Sequence, residues 1–237
     1  MRAEPTPDPS HLEGFDPYDA LDAEAARLEA HFDALDEDGW AAPSRCSGWT
    51  VRDVVAHLAG TERYHAACFD GRVAAVIEEG MAAGLTSLAE FNQAGVDERA
   101  DLAAAEVVEE FVTADAENRR RFRERDGGEM DSSIGAYPVR WQAFHVASEL
   151  ATHADDIGVP VIADEAADRL AWRVAFSRFA LTERRPGVVV EAAPEGTRVV
   201  ADEGEVVVDD GTFVAGLADR LDDDAALQDR LAVAPPE

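Results

Sequence analysis

The stretch Trp141 to Val159 limits the folds open to this chain more than any other, because it has a helical period yet is polar where a packed helix should be greasy. His145, Glu149 and His153 follow one another at steps of four residues. On a helix of about 3.6 residues per turn such steps drift only ~40°, so the three side chains form one stripe, joined by Thr152 and Asp156. Imidazole and carboxylate in this register are a usual way for a helix to offer two ligands to one divalent metal. Two ligands do not hold a catalytic metal, so a third must come from elsewhere in the chain.

A second helix is predicted after the loop Trp40 to Trp49, with Thr50 and Asp53 forming a capping box at its start. Measured from His57, the same side of that helix carries Asp53, Thr61, Tyr64 and Cys68, again polar where a core would be apolar. His57 is therefore the candidate third ligand beside Glu149 and His153. Thr61 and Tyr64 are candidates for lining a thiol or substrate pocket, His145 for a wall of that pocket or a hydrogen-bond role although it could compete as a ligand, and Asp156 for orienting His153 by accepting its second N–H. Each has a plainer alternative. A lone His57 would more often be a hydrogen-bonded core histidine, Thr61 and Tyr64 could simply pack, and Asp156 could be a surface acid near a helix end. Three metal-suited side chains on packed helices need a common partner, and that shifts the balance towards a metal. Cys68 has no base spaced for it and is read as core; Trp40 and Trp49 are read as loop anchors.

Around these two helices the period of the chain outlines a bundle. Residues 1–15, with Pro5, Pro7 and Pro9, read as a flexible arm. Asp16 and Pro17 open a helix whose Leu21, Ala25, Leu28, Phe32 and Leu35 draw an apolar seam that Gly39 and Pro43 end. Short helices and a mobile connection are expected between Gly71 and Gly95. Asp101 to Arg125 is a stronger helix, with Leu102, Val108, Phe111 and Val112 inward and Arg119, Arg120, Arg121, Arg123 and Arg125 at its end. That cluster fits a solvated C-terminus complementing the helix dipole; recruitment of an anionic substrate is the sharper reading. After Asp126, Gly127 and Gly128, Tyr137-Pro138 introduces the Trp141 helix, which Gly158 and Pro160 stop.

A further helix, Asp164 to Arg184, carries Leu170, Val174 and Leu181. Past Pro186 the pattern changes to short Val-rich strands, Val188 to Glu191, Thr197 to Ala201 and Glu205 to Val208, with a turn at Asp202-Glu203-Gly204. Two short helices, Thr212 to Leu221 and Ala225 to Leu231, complete it. The expected fold is mainly α: a metal-binding helical bundle over 16–185 and a small α+β domain over 186–237.

Charge narrows the function. Acidic residues number 50 against 21 basic ones, all of them Arg, for a net charge of -29. Such a field repels phosphate backbones and anionic headgroups, so neither nucleic acid nor a membrane surface is an expected partner. No apolar run is long enough to span a bilayer and the first twenty residues hold no signal core, so a cytoplasmic protein is expected. Cys46 and Cys68 are too few for a disulfide scaffold and lack metal-type spacing; both are read as reduced thiols.

Pro43-Ser44-Arg45-Cys46-Ser47-Gly48-Trp49-Thr50-Val51-Arg52-Asp53-Val54-Val55-Ala56-His57-Leu58 resembles the entry to the second helix of the mycothiol-dependent maleylpyruvate isomerase family, a branch of the DinB-like four-helix bundles. Glu149-x-x-x-His153-x-x-Asp156 resembles that family's second metal motif, and together the two motifs cover about the first two thirds of the chain. The resemblance implies a DinB-like four-helix bundle with a small C-terminal α/β appendage. It implies that His57, Glu149 and His153 bind one divalent metal, zinc foremost. It also implies mycothiol as a second cofactor, with an electrophilic small molecule as substrate. The implied chemistry is isomerisation of a maleylpyruvate-like unsaturated keto acid or S-transfer from the thiol. A zinc hydrolase with metal-activated water and a non-catalytic small-molecule-binding bundle stay open beside it, and a monomer and a homodimer are both compatible with the sequence.

Overall fold

A computed structural model describes residues 7–185, 187–202, 204–221 and 224–231. Pro5, Pro186 and Glu203, used above as marks of an arm, a break and a turn, lie outside them. The chain divides into two compact units, one over residues 16–160 and one drawn from residues 1–15 and 161–237.

The first unit is built on four long helices, α1 (Pro17–Phe32), α3 (Val51–Phe69), α6 (Ala104–Glu124) and α7 (Val139–Asp156). Here α3 packs on α6, α1 packs on α7, and α1 also meets α6. Asp16 caps α1 by accepting the Tyr18 N–H, with Pro17 in the first turn where its missing donor costs nothing. Leu21, Ala25, Leu28 and Phe32 are buried along it. The helix stops at Phe32, so Leu35 falls in a turn, and Gly39 lies inside the five-residue α2 (Glu37–Ala41) instead of ending α1. Thr50 and Asp53 form the expected reciprocal capping box on α3.

Two short helices, α4 (Val73–Ala82) and α5 (Leu88–Asp97), follow Gly71, where short helices are expected. Gly80 does not interrupt α4. A Cβ there would lie 2.1 Å from the Phe91 ring, so glycine is what lets α5 approach so closely. On α6 the buried residues are Val107, Phe111, Asp115, Asn118 and Phe122. Phe111 is inward as expected, but the face is turned from the rest of the expected one: Leu102 precedes the helix and is 36% exposed, and Val108 and Val112 are only half-buried. Two polar residues on the inward face hid it from an apolar pattern.

The Arg-rich end of α6 is occupied by acids of this chain. Arg119 meets Asp22, Glu29 and Asp115, Arg120 meets Glu117 and Glu124, Arg121 meets Asp70, and Arg123 meets Asp19 and Asp22. Arg125 donates to the Phe69 carbonyl. These pairings favour the solvated-end reading over anion recruitment. A hairpin that the sequence did not announce follows, β1 (Glu129–Ser132) with β2 (Gly135–Pro138), and it turns Met130 and Tyr137 inward as a pair. Pro138 then leads into α7, which ends on Gly158 at φ 75°, a left-handed cap for which glycine is suited.

In the second unit, Asp8 caps a 3-10 turn at Pro9–Leu12 and donates its own N–H to Thr182, while Leu12 is buried. The described part of the arm, residues 7–15, therefore includes a folded turn. The long helix α8 (Ala163–Arg184) buries Val174 and Leu181, whereas Leu170 is 38% exposed. Strands β3 (Val189–Ala193), β4 (Gly196–Ala201) and β5 (Gly204–Val208) form an antiparallel meander, followed by α9 (Asp210–Leu217) and α10 (Ala225–Leu231). Leu181, Val190, Val199, Phe213 and Leu231 make one apolar core, which is why α8 groups with the sheet and the boundary between units falls near residue 160 instead of 185. The fold is mainly α with a small antiparallel sheet near the C-terminus, and among the described residues no helix is long and apolar enough to cross a membrane.

Candidate metal centre

Helices α3 and α7 bring His57, Glu149 and His153 to one spot. Both imidazoles aim Nε2 at the same carboxylate oxygen, Glu149 Oε1, from 3.0 Å for His57 and 3.3 Å for His153. The two rings meet edge to face, 4.9 Å between centroids. One ligand-capable atom from each residue lies within 4.8 Å of the other two. Tetrahedral zinc with bonds of about 2.0–2.1 Å sets neighbouring donors roughly 3.3 Å apart, close to the two histidine-to-carboxylate spacings of 3.0 and 3.3 Å.

The surroundings select the donor atoms. Asp156 Oδ2 lies 3.0 Å from His153 Nδ1, and because a carboxylate only accepts, Nδ1 carries the proton and Nε2 is directed at Glu149. His57 and His153 are buried, while the Glu149 side chain is 41% exposed, so the cluster is walled by imidazole and open on its carboxylate side. Desolvation by the packed helices would by itself raise the Glu149 carboxyl, partly exposed as its side chain is, and lower His153. The imidazoles win at Glu149, holding it well below the usual carboxylate range. Glu149 and Asp156 win at His153, holding it well above the usual imidazole range. Both directions mean that the two carboxylates favour positive charge between them, and a divalent cation with two neutral imidazoles would balance their two negative charges.

The remaining expected residues sit further out. Thr61 is one turn along α3, its hydroxyl bonded back to the His57 carbonyl at 3.1 Å. Tyr64 is seven residues on, about 10 Å along the axis, and its hydroxyl accepts the Ser133 N–H of the hairpin turn. His145 pairs with the Tyr137 hydroxyl at 3.1 Å, two turns before His153. Of the outer candidates, Asp156 reaches the His153 ring itself. Cys68 is buried, and burial pushes its thiol up to about 11, as suits an inert core residue.

Two neighbours were missed as participants. Trp49 lies against the His57 ring, 5.2 Å between centroids, and its Nε1–H donates to Gln93 at 2.9 Å. Cys46 places Sγ 3.2 Å from Asp156 Oδ2 and 3.7 Å from His153 Nδ1. Both belong to the loop before α3. Helical periodicity carries no information across a loop, so no spacing rule pointed to them.

The family description "mycothiol maleylpyruvate isomerase N-terminal domain" matches residues 21–158, a span that includes α3, α7 and the whole trio. No curated protein and no solved structure is matched. With the match covering more than half of the sequence, and both motif helices inside it, this chain belongs to the mycothiol maleylpyruvate isomerase N-terminal domain family.

Proposed function

We propose that this protein is a metal-dependent enzyme of low-molecular-weight thiol chemistry, with His57, Glu149 and His153 as the ligands of one divalent ion, zinc foremost, and mycothiol as its thiol. The observation that carries the reading is the convergence of two Nε2 atoms on one carboxylate oxygen at 3.0 and 3.3 Å. Two His and one carboxylate are the ligand count of zinc sites that keep a position open for chemistry, not of closed structural ones. A zinc ion held there supplies a Lewis acid that favours the thiolate form of a bound thiol, or the hydroxide form of water.

The chain's own residues do the rest by holding positions. Asp156 engages Nδ1 of His153 and so leaves Nε2 as the nitrogen a metal would take, Trp49 covers one side of the His57 ring, and the exposed flank of Glu149 gives a small molecule access. The family match favours a maleylpyruvate-like unsaturated keto acid or another soft electrophile as the co-substrate. Zinc hydrolysis with metal-bound water uses the same ligands and is the second reading.

The test has two arms. Purified protein should take up about one equivalent of zinc per chain, lost in His57→Ala and His153→Ala. Titrating mycothiol into the cobalt-substituted protein should add a sulfur-to-metal charge-transfer band; a spectrum indifferent to the thiol would favour the hydrolase, and a chain that takes up no zinc would remove both readings.

A further inference from the structure

The loop from Pro43 to Thr50 holds together by its own bonds before it touches the candidate centre. Its ends pair as a β-bridge between Pro43 and Thr50. Inside it, the Ser44 hydroxyl donates to the Trp49 carbonyl at 2.9 Å and accepts the Cys46 N–H at 3.1 Å, and the Trp49 N–H returns to the Cys46 carbonyl at 3.0 Å. The Arg45 N–H then donates to the Asp156 carbonyl at 2.9 Å, fastening the loop to the last turn of α7. A braced loop of this kind delivers side chains to fixed places.

Two of them reach the candidate ligands, Trp49 against the ring of His57 and Cys46 towards the far side of His153. The thiol meets the same carboxylate oxygen, Asp156 Oδ2, that faces His153 Nδ1. Since Asp156 can only accept, both contacts are donations to one atom, and a carboxylate held by two donors from different segments has little freedom to rotate. Asp156 itself is buried, so that alignment is not traded against water.

We infer that Cys46 is a positioning residue: its S–H donates to Asp156 Oδ2 and so locks the carboxylate that holds the Nδ1 proton of His153, leaving Nε2 as the nitrogen aimed at Glu149 and His57. The inference rests on the metal reading above. It differs from a direct role for the thiol, which would make Cys46, His153 and Asp156 a second set of convergent ligands through Nδ1. The bond between Asp156 and His153 argues against that set, because a metal on Nδ1 would displace the proton that Asp156 accepts.

The experiment measures zinc affinity by chelator competition, and the visible spectrum of the cobalt form, for the full chain and for Cys46→Ala, Cys46→Ser, Asp156→Ala and Cys68→Ala. Partners behind a metal-bound histidine are worth about 10- to 100-fold in affinity, and a thiol is a weak donor, so Cys46→Ala should weaken zinc about 3- to 10-fold and shift the cobalt d–d bands. Cys46→Ser, which restores a donor, should return to within about twofold of the parent, and Cys68→Ala should match it. Asp156→Ala should be the weakest binder of the set.

A Cys46→Ala protein with parental affinity and spectrum, beside an impaired Asp156→Ala, would overturn the inference. So would a Cys46→Ser protein as impaired as Cys46→Ala. A sulfur-to-cobalt band in the parent that vanishes in Cys46→Ala would overturn it by making the thiol a ligand. Absence of zinc uptake by the parent chain would instead sink the metal reading, and this inference with it, before any variant is compared.

Discussion

Helix α3 carries two buried polar clusters, and they solve the same problem in opposite ways. Near its middle His57 meets Glu149 and His153, with donor atoms from three residues converging on one spot. One to two turns later Glu62 and His65, both buried, face Asp115 and Asn118 of α6. There the partners are internal: Asn118 donates to the Glu62 carbonyl and carboxylate, both at 2.8 Å, and Arg119 donates to Asp115 at 2.7 Å. His65 Nδ1 and Asp115 Oδ1 are left without a hydrogen bond. Among the described residues, each group of three convergent metal-suited donors includes His153 and none includes Glu62, His65 or Asp115. Buried polarity by itself therefore does not mark a candidate ligand set; convergence of donor atoms does.

Several measurements would break or sharpen that contrast. The largest effect is expected at the first cluster, where His57→Ala, His153→Ala or Glu149→Ala should each weaken zinc by roughly 100-fold or more, since an open site with two ligands left is a poor one. Glu62→Gln and His65→Ala, buried acid and imidazole on the same helix, should leave zinc within about twofold. A comparable loss from either would erase the distinction.

The second cluster should show itself in the pH dependence of stability. Burial first, and Glu62 next, raise Asp115 to about 7. A carboxyl that is protonated more readily in the folded chain binds the extra proton between its unfolded value and about 7, so stability falls as pH rises through that window. The full effect is at most about 4 kcal/mol. Asp115→Asn should flatten the slope of denaturation free energy between about pH 4 and 7. An unchanged slope would place the titration elsewhere.

Asn118→Ala removes both donors to Glu62 and should cost about 1–3 kcal/mol in denaturant unfolding, with zinc affinity intact. Arg120→Ala, on an exposed pair with Glu117 and Glu124, should leave the melting temperature unchanged within error.

Much of the bundle could be read from residue order because its signals are local. Asp16 with Pro17, Thr50 with Asp53, and Gly158 each sit within a turn of the end they define. The candidate ligands were legible for the same reason: Glu149 and His153 share a helix face, and His57 stands out on another. What resisted were features set by partners distant in the chain. The inward side of α6 carries Asp115 and Asn118, whose burial depends on Arg119 and Glu62, so apolar spacing found Phe111 but missed the rest of that stripe. The hairpin at Met130 and Tyr137 is too short for alternation to register. Cys46 reaches Asp156 across 110 residues, and α8 joins the sheet through Leu181, contacts that only tertiary packing creates.

The arrangement of the candidate ligands also bears on how the chain would be held closed. Glu149 and His153 come as a prefabricated pair on one helix, whereas His57 lies 92 residues before Glu149. A cation gripping all three would fasten the ends of that intervening length like a buckle, and closing a loop so long is where such a fastening restricts the unfolded chain most. Stripping the ion should then loosen α4, α5 and the hairpin, elements that contribute nothing to the grip itself.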